Sequence, residues 1–114
     1  MTSNKIAELN LEYGSPTIPV AIQNMKNALT TYKGKGYKAV IVIHGYGSTG
    51  VGGGIKESVR KCLNENSMRG IVRMFVSGED WINNKRSVLA ICKDLASYER
   101  RIENNNGVVV VILR

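Results

Sequence analysis

Apolar and polar positions along the chain follow four short apolar runs separated by stretches of helical period. Ile6 to Leu11 alternates loosely and predicts a first strand. Pro19 suits the first turn of a helix and pushes Ile18 away from α geometry, so a helix is expected to begin near Pro19. Ile22, Met25, Leu29 and Tyr32 recur at helical spacing beside Ala21 and Ala28, and Lys33-Gly34-Lys35-Gly36 supplies a glycine C-cap. Lys38 to His44 is the clearest strand, with a continuous apolar run expected of a strand covered on both faces. Gly45 to Gly54 holds six glycines in ten positions and predicts a loop. Ile55, Val59, Cys62 and Leu63 mark a second helix, which breaks at Asn64-Glu65-Asn66. A third strand is expected over Ile71 to Val76, a loop over Ser77 to Trp81, and a third helix carrying Val88, Leu89, Ile91, Cys92 and Leu95. Asn104 to Gly107 then turns into a last strand, Val108 to Leu113. This β-α-β-α-β-α-β order implies an α/β fold with a parallel core in its sheet and helices packed against it.

The 114 residues suffice for one domain, taken as 1–114, with no repeat and no linker. The longest apolar runs, Ala39 to Ile43 and Val108 to Leu113, fall far short of the ~18 residues of a membrane span. Met1 to Lys5 leads into no apolar signal core, so a cytoplasmic protein is expected. Cys62 and Cys92 lie in predicted helices and read as two buried, reduced thiols. Sixteen Lys and Arg against nine Asp and Glu give a formal charge of +7. That excess favours polyanionic partners, DNA or RNA before an anionic membrane surface.

The chemistry concentrates at the glycine loop. A strand, a glycine-rich turn and a helix N-terminus together expose backbone N–H groups toward an anion, and glycines allow close approach. Lys56 and Arg60 stand one helical turn apart and can reach the same anion. A Walker A loop is excluded, because Ile55 and not glycine precedes Lys56. Gly45-x-Gly47-x-x-Gly50 matches the dinucleotide fingerprint, but no acidic residue ends the following strand to hold a ribose. The chain has no Gly-x-Ser-x-Gly elbow and His44 is its only histidine, which removes an α/β-hydrolase triad. One histidine and two separated cysteines give no nitrogen-and-sulfur zinc site. No cofactor is required; Mg²⁺ on carboxylates such as Glu12, Glu79 or Asp80 stays open.

Ile43-His44-Gly45-Tyr46-Gly47, the glycines through Gly54, and Ile55-Lys56 resemble the second motif of Smr (small MutS-related) domains. In that family a strand ends in His-Gly-x-Gly and turns into a helix beginning Leu-Arg. Asn106-Gly107 followed by Val108 to Leu113 resembles the family's closing strand, and the spacing of elements agrees over nearly the whole chain. The resemblance implies a four-stranded mixed β-sheet in a two-layer sandwich, similar to the C-terminal domain of a bacterial translation initiation factor. It also implies nucleic-acid binding, since members include DNA-nicking and RNA-cleaving endonucleases and others used in ribosome rescue. The first family motif, Leu-Asp-Leu-His-Gly, is replaced by Leu9-Asn10-Leu11-Glu12-Tyr13-Gly14. The residues linked to cleavage in nuclease members are therefore only partly present.

Two catalytic candidates follow. His44 closes a strand at the loop mouth and can serve as general acid or base, or hold the loop backbone in shape. Glu12 ends a strand expected beside it and can orient His44 or activate a hydroxyl, or stand solvated. Phosphate contacts are expected from Gly45, Tyr46, Gly47, Ser48, Thr49, Gly52, Gly53, Gly54, Lys56 and Arg60. Tyr46 is expected to stack on unpaired bases; Tyr13 can stack or pack against its own loop, and Trp81 can clamp or cover a core edge. A structure-selective DNA or RNA endonuclease, a non-catalytic RNA- or ribosome-binding module and a small nucleotide-binding protein all fit these residues.

Overall fold

A computed structural model describes residues 6–14, 17–45 and 53–114. Its elements are β1 (Ile6–Asn10), α1 (Ile18–Gly34), β2 (Ala39–Ile43), α2 (Gly53–Leu63), β3 (Val72–Ser77), α3 (Trp81–Ile91), α4 (Glu99–Ile102) and β4 (Val108–Leu113), with 3₁₀ turns at 66–68, 78–80 and 93–98. Local chemistry explains several boundaries. Thr17 caps α1, its Oγ1 accepting the Val20 N–H at 3.4 Å, and proline follows in the first turn. Gly36, with φ of +86°, turns the chain out of α1 toward β2.

The four strands form one sheet in the order β1-β2-β4-β3. β1 and β2 are parallel, with Asn10 opposite Ile43, whereas β4 runs antiparallel to both β2 and β3. The expected parallel core is thus reduced to one hydrogen-bonded parallel pair. Ser77 pairs with Val109 and Ile43 with Val108, so the connection after β3 must return to the end at which β3 finished. It makes an out-and-back path through α3 and then the 93–102 segment, which forces β4 to run against its neighbours.

Helices cover both faces of this α/β sheet. Ala21, Met25 and Leu29 of α1, with Val59, Cys62 and Leu63 of α2, pack on Val40, Val42, Val109 and Val111. Trp81, Val88, Cys92, Leu95 and Ile102 pack on Ala39, Ile41, Val110 and Ile112. The mixed four-stranded sheet is present, but the layering is helix–sheet–helix, three layers rather than the two expected. β4 is buried along its whole length because it is central and covered on both sides.

The region after β3 differs from expectation. Trp81 does not sit in a loop; it opens α3 fully buried, and its Nε1–H donates to Glu99 at 2.9 Å. It covers core and is not available to clamp a ligand. The third helix ends at Ile91, because Cys92 adopts an extended φ of −139°, and Leu95 reaches the core from the 3₁₀ turn. Gly78 is demanded by packing, since a Cβ there would lie 2.6 Å from the Ile102 carbonyl oxygen. Cys62 and Cys92 are buried free thiols on opposite faces of the sheet. Among the described residues no helix is long and apolar enough to cross a membrane.

Candidate functional site

Three parallel-running strands, β1, β2 and β3, end on one side of the sheet, and the candidate residues gather there. The Leu11 N–H donates to the Ile43 carbonyl at 2.8 Å, which carries the parallel pairing one residue beyond β1 and buries Leu11. Asn10 then turns the chain: its Oδ1 accepts the Glu12 N–H at 2.8 Å. The Asn10 side chain, which departs from the acidic residue of the resembling motif, thereby sets the position of Glu12.

Beyond β2, the His44 and Gly45 N–H groups both donate to the Gly107 carbonyl, at 2.9 and 3.0 Å. Gly45 adopts φ of +83°, and a Cβ there would fall 2.6 Å from the carboxyl carbon of Glu12. The Glu12 carboxylate therefore lies directly against the Gly45 backbone, and the two residues expected to share the site are brought together. The Gly45 N–H, expected to face an anion, is instead taken by Gly107. Its contribution is conformational: it lets the chain turn beneath the carboxylate.

His44 is 3% exposed, the one buried polar or charged side chain among the described residues. Its Nδ1 lies 2.9 Å from the Gly45 carbonyl oxygen. A carbonyl only accepts, so Nδ1 carries the proton and Nε2 is the basic nitrogen of the neutral ring. Burial lowers the His44 pKa below its ordinary value; the Gly45 carbonyl opposes this, Lys56 adds to it, and Glu12 and Glu79 oppose it. The net result is a neutral imidazole at neutral pH, with its tautomer set by the backbone.

The expected cations are placed less simply. Lys56 Nζ is ion-paired with Glu79 Oε1, and this bond, with the nearby charge of Arg60, holds the Glu79 carboxyl below the usual carboxylate range. Glu79, on the turn after β3, reads from sequence only as a carboxylate open to Mg²⁺. Its role as the partner of Lys56, 23 positions away, has no local signal. Arg60 is exposed in the second turn of α2. Gly54 packs against α1, a Cβ there lying 3.0 Å from Ile18 Cδ1, so close helix approach accounts for it; Gly53 begins α2. Tyr46, Gly47, Ser48, Thr49 and Gly52 lie outside the described residues.

Tyr13 does not pack on its loop. It is 88% exposed, and with Val20 and Ile82 it makes up the exposed large apolar side chains among the described residues, all at this end of the sheet. Among the described residues, no group of three His, Cys, Asp or Glu side chains is placed to hold a metal ion. The site is therefore a strand-end crevice with one neutral buried imidazole, one carboxylate against glycine, an ion pair and an exposed ring. It can move a proton at Nε2 and present aromatic and cationic groups to a ligand.

No protein-family model matches the sequence, and no curated protein matches it. Among solved structures, the crystal structure of the Smr domain of Thermus thermophilus MutS2 is similar. It aligns with a TM-score of 0.58 at 20% identity, covering 96% of this chain and 98% of that one. Over nearly its whole length, this chain has an Smr-like fold.

Proposed function

We propose that the chain is a nucleic-acid-binding domain whose site is the strand-end crevice around His44, and that this site cleaves phosphodiester bonds. The observation that carries the reading is the state of His44. A buried imidazole kept neutral, with Nδ1–H fixed on Gly45 O and the Glu12 carboxylate against the next residue, presents Nε2 as its basic nitrogen, the atom suited to accept a proton. Nε2 would take the proton of an attacking hydroxyl or water as its oxygen bonds to phosphorus and the P–O bond to the leaving oxygen breaks. That leaving oxygen takes its proton from solvent, with Arg60 and Lys56 steadying the phosphate charge. Tyr13 would stack on an unpaired base. The Smr-like fold and the net charge of +7 support a polyanionic substrate.

A non-catalytic RNA- or ribosome-binding module is the second reading, and one observation favours it. Lys56 is already neutralised by Glu79, so the described charges around His44 balance: Lys56 and Arg60 against Glu12 and Glu79. Labelled single-stranded, duplex and branched DNA and RNA, incubated with Mg²⁺ or with chelator and resolved on gels, decide between the two. Cleavage should vanish in His44→Ala while binding persists. If the wild-type chain cuts no substrate under either condition but binds, the catalytic reading is wrong and the binding module stands.

A further inference from the structure

The net positive charge does not reside at the crevice. At the other end of the sheet, where β2 and β3 begin and β4 finishes, exposed cations stand together: Lys35, Lys38, Arg69, Arg73 and Arg114. Backbone pairing fixes their neighbourhood. The Lys38 carbonyl accepts the Leu113 N–H at 2.9 Å, the Arg114 N–H donates to Ile71 O at 3.0 Å, and Arg114 Nε donates to Arg69 O. Arg73 stands at the irregularity between Val72 and Met74 on the edge strand β3. Lys35 and Arg69 follow the carbonyl ends of α1 and of the 66–68 turn, but Lys38 and Arg73 stand at strand starts, where no helix dipole accounts for them.

None of the five makes a salt bridge among the described residues. The nearby side-chain carboxylates are few. Glu65 is bonded to Lys26 and Glu8 to Arg101, which leaves Asp94, whose charge reaches Cys92 together with that of Lys38. From β2 across β4 to β3 the strip is two strand spacings wide, about 10 Å. A concentration of unpaired charge of this kind holds a polyanion through counterion release rather than through a shaped pocket.

From this placement we infer that the chain has a second nucleic-acid contact, a phosphate-backbone surface formed by Lys38, Arg69 and Arg73 at the end of the sheet opposite His44. It lies beyond the five-residue length of β2 from the crevice, about 16 Å away. The inference rests on the nucleic-acid reading above but uses none of the crevice residues. Nucleic acid fits this face better than a membrane does. An interfacial membrane site needs apolar side chains beside its cations, and among the described residues the exposed large apolar side chains, Tyr13, Val20 and Ile82, all stand at the other end.

The test uses the full chain and a labelled RNA hairpin, with affinity measured between about 50 and 200 mM salt. A combined Lys38→Gln, Arg69→Gln, Arg73→Gln variant, checked for an unchanged thermal midpoint, should bind at least tenfold more weakly. The slope of log affinity against log salt should become shallower by about 2 to 3, one step of ~0.7–0.9 per lost phosphate contact. Lys56→Gln should leave most of that slope in place. Equal binding and an equal slope in the triple variant would overturn the surface while leaving the crevice as the sole contact. Absence of hairpin binding by the wild-type chain would overturn both readings. Binding to phosphatidylserine vesicles that the triple variant loses, with hairpin binding unaffected, would overturn the choice of nucleic acid.

Discussion

The carboxylate of Glu12 rests against the α-carbon of Gly45, in the space a side chain at position 45 would occupy. Gly45→Ala should therefore act on the site more than on the fold. A flexible Glu12 can swing away from the new methyl group, while an alanine at φ of +83° costs about 1–2 kcal/mol. Thermal unfolding should show that modest loss, and binding or cleavage should fall further than stability does. A melting midpoint that collapses by tens of degrees would contradict this assignment.

Lys56 is held by Glu79 across the mouth of the crevice, between α2 and the turn after β3. The pair is partly solvent-exposed, so Glu79→Gln should change stability by less than about 1 kcal/mol. Freed from its partner, Lys56 becomes available to a phosphate, and nucleic-acid affinity should rise several-fold with a steeper salt dependence. Unchanged affinity in a titration at low salt would mean that Lys56 does not face the ligand.

His44 also makes stability depend on pH. Its folded pKa is lowered below 6.5 chiefly by burial, so the unfolded chain binds the proton more readily than the folded one. The stabilisation is complete above about pH 6.5 and is lost as pH falls through the folded value. His44→Gln should flatten that part of the pH–stability curve. Glu12→Gln should lower the His44 pKa further and Lys56→Gln should raise it, because Glu12 favours the charged ring and Lys56 opposes it. NMR titration of the imidazole reads both directions.

Gly78 is the packing position most exposed to failure. An added methyl group would run into the backbone carbonyls of Asn105 and Ile102, neither of which can rotate away as a side chain can. Gly78→Ala should cost about 2–4 kcal/mol, at the upper range of overpacking, measurable by chemical denaturation. A loss under about 0.5 kcal/mol would show that the 105–107 turn yields easily.

Local chemistry alone determined much of this protein. The unbroken apolar runs of β2 and β4, the proline at the start of α1, the spacing of Met25 and Leu29, and the glycine stop before Lys38 depend on neighbours a few residues away. They survive in any tertiary setting. The pairing of Glu12 with the chain after β2 was legible for the same reason, since a short β-α-β unit puts successive strands side by side.

Tertiary structure decided the rest. Nothing near Val108 states that β4 slots between β2 and β3 in the opposite direction; that follows from how the chain after Trp81 doubles back over the far face of the sheet. The apolar series through Cys92 and Leu95 has helical spacing, but it is divided at Cys92 because two shorter segments cover that face. Once β4 is central, Gly107 can accept from His44 and Gly45, and Glu79 can reach Lys56. These contacts join residues tens of positions apart, and only the closed fold brings their atoms within bonding distance.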